Sequence, residues 1–295
     1  MSGSSTMPGI VRELIAEGTR RLEHQGMTNA RHEAEWLLSQ LLGTRRTALY
    51  LDAEAVPDET AEQFYAQIDA RGRGTPLQYL LGDAEFFGQR FSVAPGVFIP
   101  RPETETVVEA ALEVLRRRAA VAGKPLRLLE FGTGSGCIAV TLVRALATCV
   151  VVGIELSWKA LWTTKVNAER LGCLTRVLLV QGDWGTGIHG TFDGIISNPP
   201  YVPTAQVDQL PCDVRQEPRV SLDGGPAGMR DLFQLVLQAE RLLAPGGMLA
   251  LECGEEQAEA LLRHVRIQPW AGSARIIDDL AGRPRGVLSL RKDSL

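Results

Sequence analysis

The stretch FDGIISNPPYVP (192–203) ends an apolar run with a polar amide, two prolines and an aromatic residue. Proline has no N–H, and it pushes the residue before it into an extended conformation. The loop Asn198-Pro199-Pro200-Tyr201 therefore lacks two adjacent donors but keeps every carbonyl. Its acceptors, the carbonyls of Asn198 and Pro199 and the Asn198 side-chain oxygen, suit an –NH2 group, which carries two donors on one atom. The alternative is a simple strand-ending turn, because Asn-Pro is common there.

A glycine-rich loop, EFGTGSG (130–136), lies between a predicted strand and a predicted helix. Glycines at such a place let the backbone turn sharply and approach a ligand closely. The dinucleotide fingerprint G-x-G-x-x-G fails because Cys137 occupies the sixth position. The pattern G-x-G-x-G instead fits a nucleoside that has no pyrophosphate. The predicted cofactor-binding residues of this loop are Gly132, Thr133, Gly134, Ser135 and Gly136.

Two acids and a tryptophan follow the next two predicted strands. Glu155 ends the strand VVVGIEL, where a carboxylate accepts hydrogen bonds from a ribose diol. Asp183 and Trp184 follow the strand VLLVQG, and an acceptor beside a flat apolar ring suits the amine and the ring of adenine. The alternatives are a tight turn with a solvated Glu155 and a Trp184 buried only for packing.

The composition predicts a soluble globular protein of two domains. The chain has 295 residues, and domains average about 150 residues. Its net charge of −4 gives no overall electrostatic reason to bind nucleic acid. The five cysteines include no CxxC pair and the four histidines form no ligand motif, which predicts a reduced, cytoplasmic protein without a metal site. Residues 1–7 lack a signal-peptide pattern and are expected to be disordered.

The periodicity of apolar residues divides the chain into three regions. Residues 8–72 have helical spacing and predict a small helical bundle. Residues 73–102 contain short β-prone runs broken by glycine and proline, which predict a β-hairpin linker. Strands and helices alternate over 103–295, which predicts an α/β fold with a Rossmann-like, doubly wound, mainly parallel sheet. No apolar segment reaches the roughly 18 residues of a membrane span.

In this order the motifs resemble those of SAM-dependent (S-adenosylmethionine-dependent) methyltransferases, specifically the HemK/PrmC-type release-factor glutamine methyltransferases. NPPY alone is shared with amino-methylating enzymes of DNA, but its combination with PRPETE (100–105) is specific to this family. The resemblance extends over nearly the whole chain. Its further motifs are ARHEAEWLLSQLLG, EFGTGSG, QEPRVSLDGGPAGMRDL, PGGMLALECGEEQ and DLAGRPRGV.

The resemblance implies the cofactor SAM, with S-adenosylhomocysteine as product, lying beside the glycine loop, Glu155 and Trp184. Asn198, Pro199 and Tyr201 would be catalytic, and together with Pro200 they would hold the substrate glutamine, with Asn198 also beside the cofactor. The implied substrate is the glutamine of the Gly-Gly-Gln loop of a peptide-chain release factor, bound through the helical domain of a monomer. Glu130 and Glu155 stand where aspartate is more usual in the family.

Three other functions remain open from the sequence. NPPY suits the exocyclic amine of a flipped DNA or RNA base equally well, although the acidic balance is unfavourable. The second is a non-catalytic SAM-binding or ribosome-associated module, and the third is a relative that methylates another protein or small-molecule amide. The catalytic loop does not distinguish the last case, because the helical domain is expected to choose the partner.

Overall fold

The computed structural model describes residues 11–50 and 56–293, so the expectation of disorder at residues 1–7 lies outside the described residues. Contacts within the chain divide it into two compact units. The helical unit consists of Met1–Gly82 and Pro211–Gln216, and the remainder forms the sheet unit. The boundaries predicted at residues 72 and 102 stay a prediction.

The helical unit confirms the predicted N-terminal helices. Its core contains Leu22, Leu37 and Phe64, which are fully buried. Buried Arg71 donates through Nε to Glu33 at 2.6 Å and pairs with Asp213 of the returning segment at 3.3 Å. Removing one partner of such a buried ion pair typically lowers the free energy of unfolding by about 3–5 kcal/mol, because it leaves an unpaired buried charge. The helices are α1 (Val11–His24), α2 (Ala30–Leu41), α3 (Asp58–Gly72) and α4 (Leu77–Leu81).

The sheet unit contains a two-stranded hairpin, β1–β2, and a seven-stranded sheet with the order β5-β4-β3-β6-β7-β9-β8. The first five strands of that order are parallel, and β9 and β8 are antiparallel to their neighbours. The predicted mainly parallel sheet is confirmed. The strands are β1 (Asp83–Phe86), β2 (Gln89–Ser92), β3 (Leu126–Phe131), β4 (Cys149–Glu155), β5 (Val177–Gln181), β6 (Phe192–Ser197), β7 (Leu243–Glu252), β8 (Ala271–Asp278) and β9 (Pro284–Arg291).

Helices cover both faces of this sheet and bury two separate apolar cores. One core lies under α5, α6 and α7, and the other lies under α9 and α10. Burial on both faces explains why β3 and β6 are apolar almost throughout. No helix within the described ranges is long and apolar enough to cross a membrane. The helices are α5 (Pro102–Ala122), α6 (Cys137–Ala145), α7 (Trp158–Arg170), α8 (Thr204–Val207), α9 (Arg230–Leu242) and α10 (Ala258–Arg266).

The region 73–102, predicted as a β-hairpin linker from its short β-prone runs, contains one hairpin, and its other β-prone runs are not strands. Only β1 and β2 form a hairpin, whereas Leu77–Leu81 is helical because Pro76 precedes its first turn and Gly82, at φ +76°, ends it. The β-prone run 97–99 is not a strand. The Val97 N–H donates to the Ala94 carbonyl in a turn, and the flanking prolines cannot donate to a ladder.

Candidate active site

A cavity of about 360 Å³ opens at the carboxyl ends of β3, β4, β5 and β6 in the sheet unit. Parallel strands bring their carboxyl ends to one edge of the sheet, where ligands of such folds bind. The residues predicted from four separate motifs therefore meet there. Those that line the cavity are Gly132, Thr133, Gly134, Ser135, Glu155, Asp183, Trp184, Asn198 and Pro200.

Helix α7 holds the glycine loop in place. Thr164 donates from Oγ1 to the Gly134 carbonyl at 3.0 Å, and Asn167 donates from Nδ2 to the Ser135 carbonyl at 2.8 Å. Gly136 has φ +81°, and a Cβ there would lie 2.6 Å from Thr164 Cγ2. Only glycine meets both conditions, so the loop can pack against α7 and still border the cavity.

Glu155 ends β4 with its carboxylate fixed by two backbone donors. Oε2 accepts from the Gly134 N–H at 2.8 Å and Oε1 from the Ser157 N–H at 2.9 Å. A carboxylate has roughly four lone-pair positions, so each oxygen can still accept from a hydroxyl in the cavity. The geometry suits the ribose diol that the sequence predicts for Glu155.

Trp184 and Asp183 form the wall that the sequence assigns to adenine. Trp184 has φ +48°, which is unusual for an aromatic residue, and its ring meets Phe131 edge-on at 6.2 Å. A Cβ on Gly132 would lie 3.8 Å from Trp184 Cζ3. Gly132 therefore lies within van der Waals reach of the indole, and both residues line the cavity.

Glu130 is a buried acid that borders the same cavity. It is 1% exposed, and neither carboxylate oxygen has a hydrogen-bond partner within the described part of the chain. Burial raises the pKa of Glu130 well above its usual value, and the nearby Glu155 charge adds to that rise. A ligand that carries an ammonium group would supply the missing donors. The diol acceptors, the ring wall and this orphaned acid together fit SAM.

The NPPY loop (residues 198–201) follows β6 and presents one end of an amide to the cavity. Ser197 is fully buried and donates from Oγ to the Phe131 carbonyl at 2.8 Å, which ties the end of β6 to β3. Asn198 donates from Nδ2 to Thr104 Oγ1 at 3.0 Å. Its NH2 group is thereby engaged, and its oxygen Oδ1 is left for a ligand. Pro199 is buried, whereas Pro200 lines the cavity.

Comparisons with known proteins decide the family. One family model, "PrmC N-terminal domain", matches residues 13–82, and another, "Methyltransferase small domain", matches residues 90–212. A release factor glutamine methyltransferase from Moorella thermoacetica is 40% identical over 96% of this chain and 99% of its own length. This chain belongs to the release factor glutamine methyltransferases. A second member, from Geobacter sulfurreducens, is 44% identical over 85% of this chain and 87% of its own length.

The fold of this family member also matches a solved structure. A methyltransferase from Pyrococcus furiosus superposes with a TM-score of 0.50 at 22% identity, over 71% of this chain and 91% of that chain. At that identity the likeness shows the fold alone. The predicted methyltransferase fold with an N-terminal helical region is thus confirmed.

Tyr201 adopts a different environment from the other members of the NPPY loop. Its hydroxyl donates to Glu252 Oε1 at 3.2 Å, and its carbonyl accepts from Gln257 Nε2 at 2.8 Å. Burial raises the pKa of Tyr201 far above its usual value, so the phenol stays protonated and remains a donor. The contact of Tyr201 with substrate stays a prediction.

Residues of two further segments, around Arg101 and Pro218, also line the cavity. Glu217, 5% exposed, accepts from the Ile99 N–H at 2.9 Å and forms an ion pair with Arg101. The two family motifs PRPETE and QEPR therefore contact each other, although they are more than a hundred positions apart.

Several residues of this site were not assigned a role from the sequence. Each is polar and buried, and each contacts a predicted site residue, lines the cavity itself or binds a residue that lines it. The available signal was their position inside quoted family motifs, or, for the two α7 residues, their spacing on one helix face. These residues are Thr104, Glu130, Thr164, Asn167, Glu217 and Glu252.

Gly228 supports the NPPY loop from the far end of the following segment, and its replacement is expected to be damaging. Its φ is +68°, and a Cβ there would lie 2.0 Å from the Tyr201 carbonyl oxygen and 2.4 Å from Gln257 Nε2. Gly228→Ala is therefore expected to lower the thermal unfolding midpoint and kcat together. The loss in the free energy of unfolding includes roughly 1–2 kcal/mol for holding alanine in the left-handed backbone region. The displacement of Tyr201 adds to that loss.

Gly172→Ala is the matched control for that variant. Gly172 has φ +70°, but a Cβ there would meet no atom within 4 Å. It carries the same backbone strain without the clash, so its kcat is expected to stay close to wild type. Equal losses of midpoint and kcat in the two variants would show that Gly228 has no special role.

Proposed function

We propose that this protein transfers the methyl group of SAM to the side-chain amide nitrogen (N5) of a glutamine in a peptide-chain release factor. The observation that carries the proposal is the position of Asn198, which lines a cavity suited to a nucleoside while its Nδ2 is bound to Thr104 Oγ1, so that Oδ1 is available as an acceptor. The names of the Moorella and Geobacter relatives support the choice of substrate. The target glutamine is the one in the Gly-Gly-Gln loop of the factor.

An amide nitrogen is a poor nucleophile because resonance delocalises its lone pair into the carbonyl. The chain can counter this by accepting both N–H bonds of the target, one at Asn198 Oδ1 and one at the Pro199 carbonyl. Both acceptors orient the nitrogen, and they stabilise the positive charge that develops on it in the transition state. When bound, SAM supplies an electrophilic methyl group on a sulfonium.

Positioning contributes a large part of the rate. Holding two reactants in alignment can supply roughly 7–11 kcal/mol of the barrier. The proline pair stiffens the loop that carries the acceptors, so the loop loses little conformational entropy when the reactants align. The NPPY loop offers no strong base, and the nitrogen need not be deprotonated first. The proton leaves the methylated nitrogen for water after the transfer.

The helical unit is proposed to bind the release factor, and the enzyme to act as a cytoplasmic monomer. No direct contact with nucleic acid is needed for this function. Methylation of an exocyclic amine in DNA or RNA is the second candidate, because the same pair of acceptors fits that group. The net charge of −4 is unfavourable for that candidate.

The test is to incubate the protein with isotopically labelled SAM and purified release factor, and to locate the added methyl by mass spectrometry of peptides. The expected result is a single methyl on the glutamine of the Gly-Gly-Gln loop. A release factor with that glutamine replaced by asparagine is the control and is expected to stay unlabelled. Label that enters nucleic acid but not release factor would establish the second candidate, and SAM binding without turnover on any amide would indicate a non-catalytic module.

A further inference from the structure

One side chain, that of Asn167, joins two separate segments of the sheet unit. Asn167 lies in α7 and is fully buried. Its Oδ1 accepts from the Ser92 N–H at 2.8 Å, and its Nδ2 donates to the Ser92 carbonyl at 3.0 Å. Nδ2 also donates to the Ser135 carbonyl at 2.8 Å. Asn167 therefore ties the end of β2 to the glycine loop.

The three backbone groups around Asn167 fix the orientation of its amide. An N–H group only donates and a carbonyl only accepts, so turning the amide round would break all three hydrogen bonds. Arg170 Nη2 lies 3.3 Å from Oδ1 and favours the same orientation, because a guanidinium only donates. An ionised aspartate has nearly the same shape, but it could keep only the bond from the Ser92 N–H. The position therefore requires an amide.

The segment that follows Ser92, residues 93–101, borders the cavity. Its residues that line the cavity are Gly96, Phe98, Pro100 and Arg101. The segment leads into α5, where Thr104 Oγ1 lies 3.0 Å from Asn198 Nδ2. The chain from Ser92 to Thr104 thus runs from the residue that Asn167 holds to the residue that holds Asn198.

The other end of the link is in the part of the site predicted to bind the cofactor. Ser135 is 2% exposed and lines the cavity, and the neighbouring Gly134 N–H donates to Glu155. Thr164 also holds this loop, because its Oγ1 donates to the Gly134 carbonyl at 3.0 Å. The bond from Thr164 joins the loop to α7, whereas the bonds of Asn167 join the loop to Ser92 as well.

We propose that Asn167 is a positioning residue that fixes the glycine loop and the segment 93–101 relative to each other. The glycine loop borders the cofactor, and the segment leads to the contact that holds Asn198. Methyl transfer requires the sulfonium and the target nitrogen to be aligned, and a small misplacement lowers the rate strongly. Asn167 therefore acts on cofactor affinity and on turnover together. The inference rests on the proposed function, because turnover is measured on a release-factor glutamine.

The decisive variant is Asn167→Asp, which keeps the shape and the acceptor but removes both donors. It is expected to raise Kd for SAM roughly tenfold and to lower kcat at saturating SAM roughly tenfold. Calorimetry gives Kd, and methylation of the release factor gives kcat. Asn167→Ala, which suits a helix, replaces this variant if aspartate prevents folding, and the same pattern is expected.

Two companion variants separate this role from the loss of a hydrogen bond alone. Thr164→Val removes a donor to the glycine loop and leaves the contacts of Ser92 in place. It is expected to raise Kd for SAM to a similar extent but to lower kcat by less than about threefold. Gln268→Glu, which follows α10, makes the same change from amide to carboxylate and loses the bond from Nε2 to the His264 carbonyl at 3.0 Å. As the matched control, it should change Kd and kcat by less than about twofold.

Hydrogen exchange measures the link without any substrate. In Asn167→Asp, the backbone amides of both the glycine loop (132–136) and the segment 93–101 are expected to exchange faster than in wild type, because both lose an anchor. In Thr164→Val, the faster exchange should be confined to the glycine loop.

Three outcomes would overturn the inference while leaving the proposed function intact. They are wild-type Kd and kcat in Asn167→Asp, an equal loss of kcat in Asn167→Asp and Thr164→Val, and faster exchange in Asn167→Asp that is confined to the glycine loop. A wild type that binds SAM but never methylates the release factor would instead overturn the proposed function. The Kd and exchange measurements need no release factor, so they test the link between the two segments in either case.

Discussion

Replacing Asn198 with alanine is expected to lower kcat by at least about 100-fold, the typical effect of losing one preorganised group at the reacting centre. The variant removes Oδ1, the acceptor that orients the target –NH2 and stabilises its developing charge. Affinity for SAM should change much less, because the diol acceptors of Glu155 and the wall at Trp184 remain. A loss confined to kcat is the signature of an interaction made mainly in the transition state.

The measurement is single-turnover methylation at saturating SAM, with the SAM Kd determined by calorimetry on the same preparation. Asn198→Gln is the informative companion variant, because it keeps the amide but moves it by one methylene away from Thr104. It is expected to remain far below wild type, since position matters as much as chemistry. A near wild-type rate in Asn198→Ala would refute the role assigned to this residue.

Replacing Glu155 with alanine should weaken SAM binding by about 100-fold or more. Each hydrogen bond to a charged acceptor contributes about 1.5–3 kcal/mol, and a diol would make two. The variant also leaves the Gly134 and Ser157 N–H groups without their acceptor, which loosens the glycine loop. Both effects act on the cofactor, so KM for SAM should rise while kcat at saturation falls less.

Calorimetric titration with SAM measures the change in Kd directly, and Glu155→Asp is expected to give an intermediate Kd. Aspartate keeps the charge but shortens the side chain by one methylene, so its loss should be smaller than that of alanine. Glu169→Ala is the matched control, because Glu169 is an exposed acid on the neighbouring helix α7. Affinity for SAM that is equal in Glu155→Ala and Glu169→Ala would remove Glu155 from the cofactor site.

The sequence alone determined the architecture and the centre of the site. Apolar residues repeat with the period of a strand or a helix because each element buries part of its surface. The alternation of such segments therefore predicted the mainly parallel sheet and the edge at which it binds ligands. The glycine loop, Glu155 and the NPPY loop were predicted because their chemistry is local. Glycine permits positive φ at one position, and proline deletes its own donor, whatever surrounds them.

Only the tertiary structure decided which distant side chains complete that site. The bond from Asn198 to Thr104 spans 94 positions and that from Tyr201 to Glu252 spans 51, and no local pattern encodes such pairs. The burial of Glu130 likewise depends on the packing of its neighbours. The Asn198 amide is the clearest case. Its sequence context leaves both ends of the amide available, and the contact of Nδ2 with Thr104 Oγ1 engages one of them.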